Sequence, residues 1–257
     1  MSNENLTLNE TFDLALKNHQ NNNLQDAQNY YQKVLELDPN HSQTLNNLGA
    51  IFLVLRERQK AKSCYEKVIE LNPNYADAHN NLGNILKELG EIEKAKGCYE
   101  KAISINPNYV NAHYNLGVIF QELGERQKAK SCYEKVIELN PNFVNAYNNI
   151  GNILKELGEI EKAKECYEKA ISINPNYVNA HYNLGNIFQE LGERQKAKGC
   201  YEKAISINPN YADAHNNLGN IFKELGEIEK AKECYEKAIE INPNQEKAYN
   251  NLGIIFT

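Results

Sequence analysis

No stretch of this sequence stays apolar over the roughly 20 residues that a helix needs to cross a bilayer, so a membrane span is not expected. Its opening, MSNENLTLNETFDLALKNHQNNN, has neither a basic n-region nor an apolar h-region, and no secretory signal is predicted. An excess of positive charge is missing too. Lys and Arg number 28 against 34 Asp and Glu, a net charge of −6, which argues against nucleic acid and against anionic membrane surfaces as partners. The sequence contains no GxxxxGK[ST] loop, no GxSxG elbow and no HExxH helix, and Cys and His never fall at zinc-ligand spacing. Every candidate nucleophile or base recurs instead at a fixed repeat position, and a spatially separated set rarely makes one site. The reading is therefore non-catalytic, with no catalytic residue, no metal and no cofactor.

Cysteine is present but badly placed for a disulfide framework. Cys64, Cys98, Cys132, Cys166, Cys200 and Cys234 follow one another at intervals of 34 residues. Helical layers stack roughly 8–10 Å apart, beyond the ~7 Å Cα separation a bridge tolerates. Reduced thiols and a cytoplasmic location are predicted, with the sequons at Asn5, Asn9 and Asn40 unmodified.

Proline is scarce, and its scarcity is ordered. All seven prolines, Pro39, Pro73, Pro107, Pro141, Pro175, Pro209 and Pro243, share the same 34-residue register. Counting residue 1 of each unit 31 before its proline gives repeats 8–41, 42–75, 76–109, 110–143, 144–177, 178–211 and 212–245. A tail, 1–7, precedes them, and a partial repeat, 246–257, supplies one further first helix. In the third unit His79, Leu82, Gly83 and Leu86 form the i, i+3, i+4, i+7 stripe of an amphipathic helix. Leu89-Gly90 closes it, since glycine takes the left-handed conformation of a C-terminal cap. Ile92, Ala95, Tyr99, Ala102 and Ile103 mark a second helix, which Pro107 between Asn106 and Asn108 stops. Each unit is thus helix A, tight turn, helix B, short turn. Two such helices cannot bury their apolar faces alone, so hairpins must stack. Gly83 and Ala95 are small where A and B approach, and Tyr99 and Leu86 fill the gap. Gly83→Leu or Ala95→Phe is expected to overpack that contact by about 1–3 kcal/mol.

His79, Leu82, Gly83, Leu86, Ala95, Tyr99, Ala102 and Pro107 resemble the signature of the tetratricopeptide repeat, and the likeness extends over residues 8–257. The departures are Thr11, Ala15 and Asn18 in the first unit and Arg56, in place of the turn glycine, in the second. The resemblance implies an all-α, right-handed superhelix (an α-solenoid), with helices A on the concave side. It also implies a scaffold for protein–protein interaction. The histidines then stand in for packed aromatics.

Helical arithmetic turns unit positions 4, 7, 8 and 11 to the core and positions 2, 6, 9 and 13 to the open side. Position 6 is Asn47, Asn81, Asn115, Asn149, Asn183, Asn217 and Asn251; position 9 adds Asn84, Asn152, Asn186 and Asn220. Position 2 contributes Asn111, Asn145 and Asn179 beside Asp77 and Asp213, and position 13 is Glu88, Glu122, Glu156, Glu190 and Glu224. A carboxamide offers two donors and an acceptor, so such a ladder suits the N–H and C=O groups of an extended peptide. It is similar to the asparagine array in the repeat arm of O-linked N-acetylglucosamine transferases and SPINDLY-like proteins. With Glu, Asp and Asn but no Arg in these columns, a carboxylate clamp is not expected.

Position 5 alternates Asn80, Tyr114, Asn148, Tyr182, Asn216, and helix B begins alternately with Ile92, Ile160, Ile228 or Arg58, Arg126, Arg194. The duplicated unit is therefore 68 residues. Tyr114 and Tyr182 either anchor a ligand at every second layer or record recent duplication, and duplication alone would also propagate the asparagines. The expected partner is a protein or peptide held along the asparagine-lined groove. One alternative is the repeat arm of a glycosyltransferase whose catalytic part lies outside this chain. Another is self-association through Leu252, Ile254, Ile255 and Phe256.

Overall fold

The computed structural model describes residues 6–255. Residues 1–5, which hold the Asn5 sequon, and Phe256 of the C-terminal apolar group lie outside them. The chain divides after Glu125 into two compact units. The first holds α1 (Leu8–Gln20), α2 (Leu24–Leu37), α3 (Ser42–Val54), α4 (Arg58–Leu71), α5 (Ala76–Glu88), α6 (Ile92–Ile105) and α7 (Val110–Glu122). The second holds α8 (Arg126–Leu139), α9 (Val144–Glu156), α10 (Ile160–Ile173), α11 (Val178–Glu190), α12 (Arg194–Ile207), α13 (Ala212–Glu224), α14 (Ile228–Ile241) and α15 (Glu246–Ile255). The described residues form an all-α helical-repeat fold.

The punctuation works as the sequence suggests. Thr7 and Glu10 form a reciprocal capping box at the start of α1. At the end of α5, Gly90 adopts φ +76°, and Gly90 N and Glu91 N donate to Lys87 O and Leu86 O at 2.9 and 2.8 Å. This is the left-handed turn that satisfies the last carbonyls of a helix. After α6, Asn106 Oδ1 accepts from Asn108 N at 3.1 Å across Pro107, and Tyr109 N returns to Asn106 O at 3.0 Å. The proline has no N–H to continue the helix, and the asparagine side chain mimics the missing turn bond.

Within each unit, hairpins close on a tyrosine. Tyr99 is fully buried, as are Ala95 and Ala102 on its own helix. Gly83 of α5 lies so close that a Cβ there would stand 2.7 Å from Tyr99 Cε1. The same meeting recurs between Gly151 and Tyr167, Gly185 and Tyr201, and Gly219 and Tyr235, each at 2.6 Å.

Helix A is buried over a wider arc than positions 4, 7, 8 and 11. Position 3 (Ala78, Ala146, Ala180) and position 10 (Ile85, Ile153, Ile187) are also sealed from water. A helical wheel assumes one packed side. Here α5 touches α4, α6 and α7, and α9 touches α8, α10 and α11. The histidines pack as the sequence implies at His79 and His181, while His113 and His215 are half-buried. His79 Nε2 donates to Pro73 O at 2.9 Å, and His181 to Pro175 O at the same distance. A carbonyl can only accept, which places the proton on Nε2.

Candidate functional site

Positions 5 and 9 of a helix A lie four residues apart, one above the other on the same face. The position-6 asparagine of a following helix A drops between them. Asn183 Nδ2 donates to Asn148 Oδ1 at 2.9 Å and to Asn152 Oδ1 at 3.0 Å. Asn115 repeats this with Asn80 and Asn84 at 3.1 and 3.0 Å. Asn217 reaches Asn186 Oδ1 and Tyr182 Oη, Asn251 reaches Asn216 Oδ1, and Asn47 reaches Tyr31 Oη. The core tyrosines enter the same network from below. Tyr99, Tyr167, Tyr201 and Tyr235 donate to Asn84, Asn152, Asn186 and Asn220 at 2.8–2.9 Å.

The position-6 amides are therefore half-buried rather than fully presented, and the N–H groups of Asn115, Asn183, Asn217 and Asn251 are spent on a neighbouring hairpin. Asn80, Asn148 and Asn216 are buried outright, each passing an N–H to Asn81, Asn149 and Asn217 beside it. Tyr182 stands with ring centroids 5.9 Å from Tyr201 and 4.8 Å from Tyr211, and Tyr114 is half-buried. What the face still offers is more limited and more ordered. Asn111, Asn145 and Asn179 are exposed. The Oδ1 atoms of Asn115 and Asn183 accept none of the described bonds, nor do the Nδ2 atoms of Asn84 and Asn152 donate one.

The glutamates of position 13 are not a free acidic column. Glu88 pairs with Arg58 at 2.6 Å, Glu122 with Lys87 at 3.1 Å and Glu156 with Arg126 at 2.5 Å. Glu190 pairs with Lys155 at 2.6 Å and Glu224 with Arg194 at 2.7 Å. Each carboxylate takes one cation from the preceding hairpin, alternately Arg from the first turn of helix B and Lys from position 12. The 68-residue alternation thus has a structural consequence. Lys occupies position 12 where helix B opens with Ile, as in Lys87 with Ile92 and Lys155 with Ile160. Gln occupies it in Gln121 with Arg126 and Gln189 with Arg194. That covariation was visible in the sequence and is the signal that identifies the pairs. All five pairs are solvated and each contributes at most about 1 kcal/mol.

Burial pushes the thiols of Cys64, Cys166, Cys200 and Cys234 up to about 11, away from the thiolate form. Among the described residues no group of three or more His, Cys, Asp or Glu side chains could hold a metal ion, and no helix is long and apolar enough to cross a membrane.

The second unit lacks this tyrosine–asparagine pair. Position 9 of the second unit is Ala50, and Tyr65 Oη, the equivalent of Tyr99 Oη, is buried with no hydrogen bond. Only the Asn81 amide is near enough to oppose slightly the burial that raises the tyrosine pKa. Ala50→Asn supplies the missing acceptor and is expected to stabilise the first unit by about 0.5–1 kcal/mol, a hydrogen bond less the helix penalty of asparagine. Urea unfolding checks this, with Ala50→Asn in a Tyr65→Phe background as the control that should show no gain.

Comparison with known proteins gives a consistent picture. The profile described as "Tetratricopeptide repeat" matches residues 42–75, 110–143, 178–211 and 212–245. Related profiles of the same description match 64–97, 132–165 and 234–257, and 13–41. No curated protein sequence matches. Among solved structures, YrrB, described as a TPR protein with an unusual peptide-binding site, is 26% identical. It aligns with a TM-score of 0.59 over 72% of this chain and 96% of its own. MamA is 28% identical with a TM-score of 0.57, over 65% of this chain and 97% of its own. PilF of Pseudomonas aeruginosa has a TM-score of 0.75 at 19% identity, over 83% and 97% of the two chains, a likeness of fold alone. Repeated hairpins closed by a glycine–tyrosine contact, together with a profile matching more than half of the sequence, show that the chain belongs to the tetratricopeptide repeat family of helical protein-interaction scaffolds.

Proposed function

We propose that this protein is a non-catalytic scaffold of seven repeats and a further helix A that holds an extended peptide along its asparagine face, reading backbone more than side chains. The observation that carries the reading is the set of polar atoms left over by the internal network. Asn115 Oδ1 and Asn183 Oδ1 remain as acceptors, Asn84 Nδ2 and Asn152 Nδ2 as donors, with exposed Asn111, Asn145 and Asn179 beside them. Fixed donors and acceptors, held by the bonds beneath them, bind without first losing side-chain freedom. An extended chain advances roughly 3.3 Å per residue, so one layer of roughly 10 Å meets about three residues. Each added layer then contributes one or two backbone hydrogen bonds, worth about 0.5–1.5 kcal/mol apiece. The pairing of the position-13 glutamates supports the same reading, because it leaves amides rather than free carboxylates as the dominant polar groups.

Peptides selected from a displayed random dodecapeptide library supply the probe, and fluorescence polarisation supplies the affinity. Backbone N-methylation at alternate residues of a selected peptide should weaken binding at least about tenfold, and Asn111→Ala, Asn145→Ala and Asn179→Ala together should do likewise without lowering helicity. Failure to select any peptide, or indifference to N-methylation, would remove the backbone-reading function.

A further inference from the structure

In the second unit the chemistry of the asparagine face departs from that of the later units. Later units carry Glu at position 13 and Gly at position 15; here these are Val54 and Arg56. Position 12, Lys or Gln in units three to seven, is Leu53. Val54 is 65% exposed, so its apolar surface faces water rather than the core. Arg56 holds φ +60°, the left-handed conformation that five glycines adopt at the equivalent place. A side chain with a Cβ is disfavoured there, and backbone strain of this kind points to a role for the residue that bears it.

These departures converge on one cavity. A space of about 740 Å³ in the first unit is lined by Leu53, Val54 and Arg56, with Asn84 and Asn115 of the amide network on its wall. Its other charged groups are neutralised within the protein, Arg58 by Glu88 and Lys87 by Glu122. Arg56 has no ion pair among the described residues. In a chain of net charge −6, the cavity therefore keeps one uncompensated guanidinium beside two aliphatic side chains.

Building on the scaffold reading above, we propose that this cavity is the anchor that fixes where a peptide sits: it takes an aliphatic or aromatic side chain against Leu53 and Val54, next to an aspartate or glutamate paired with Arg56. The amides elsewhere on the face accept any backbone and cannot set a register. A planar guanidinium beside an apolar wall can, since a carboxylate pairs with it bidentately and an amide does not.

The library selection, run on the wild-type protein and on Arg56→Gly and Val54→Glu, tests the anchor. Both substitutions restore the residue of the later units. Peptides selected by the wild type should be enriched in an acidic residue adjacent to or one residue from a large apolar one. Their affinity should fall about tenfold on Arg56→Gly, and replacing the peptide's acid by its amide should do the same to the wild type but nothing further to the variant. Val54→Glu should reject the acidic peptides more strongly still. Thermal stability should rise in Arg56→Gly while affinity falls, a combination that a purely structural arginine cannot give. Peptides selected without acidic enrichment, or bound equally by Arg56→Gly, overturn the anchor and leave the scaffold standing; no selected peptide at all overturns both.

Discussion

Gly83→Leu is expected to destabilise the first unit by about 3 kcal/mol, the upper end for an overpacked core. Even a methyl group at Gly83 would lie 2.7 Å from Tyr99 Cε1 and 3.0 Å from Cδ1. The ring cannot swing aside, because Tyr99 is fully buried and its hydroxyl is tied to Asn84 at 2.9 Å. Tyr99→Ala, made alone, should cost about 3–5 kcal/mol through the cavity it opens. The two changes act on one space from opposite sides, so they cannot be additive. In the double variant the leucine enters the volume left by the ring, and the combined cost should fall short of the sum by at least about 1 kcal/mol. Urea unfolding gives the totals, and hydrogen exchange over residues 76–105 localises them to α5 and α6. Additive costs would mean that the glycine and the tyrosine do not share a space.

The second large effect concerns the amide network. Asn183→Asp should cost about 2–4 kcal/mol at neutral pH, against about 1–3 kcal/mol for Asn183→Ala. Alanine removes two N–H bonds and leaves the buried Asn148 Oδ1 without its donor. Aspartate does that and also sets a carboxylate against Asn148 Oδ1 and Asn152 Oδ1, two oxygens already 2.9 and 3.0 Å from the atom it replaces. Facing acceptors favour the protonated acid, so its folded pKa lies above the unfolded value of roughly 3.9. The sign follows. The acid donates one bond when protonated, so the variant recovers stability relative to wild type below that unfolded pKa and loses it as pH rises through the folded one. Stability curves of both proteins at several pH values test this, and a pH-independent difference would contradict the geometry. The same bonds mean that substituting Asn115, Asn149 and Asn183 together, which the sequence alone suggests would affect only binding, also removes braces between hairpins; exposed Asn111, Asn145 and Asn179 are the cleaner probes.

Much of the fold is legible from spacing. Pro107, Gly90 and the Gly83–Tyr99 pair each act through covalent geometry or size, which a residue carries wherever it stands. The candidate face was legible only in outline. A helical wheel places Asn115 and Asn183 away from the core because it treats each helix as packed on one side. In the structure a second helix A lies against that side, which half-buries these residues, seals Ile85 and Ala78, and buries Asn80 and Asn148. Arg58 and Arg126 escaped the reading of the open side for a related reason. They belong to helix B in sequence, yet their long side chains reach across to Glu88 and Glu156 of the following helix A.

The amino-acid order by itself determined the hairpin, its length and its turns, because periodicity, glycine and proline act within a few residues. It also marked the second unit as different, through Arg56 where glycine is usual. Tertiary structure alone decided which amides remain available, since a hydrogen bond between Asn115 and Asn84 depends on how closely two helices approach and not on either residue's type. It alone showed, too, that Arg56 has no ion pair among the described residues while Arg58, two residues away, is neutralised. Charge and hydrogen-bonding capacity are written in the chain; whether they are spent internally is settled by packing.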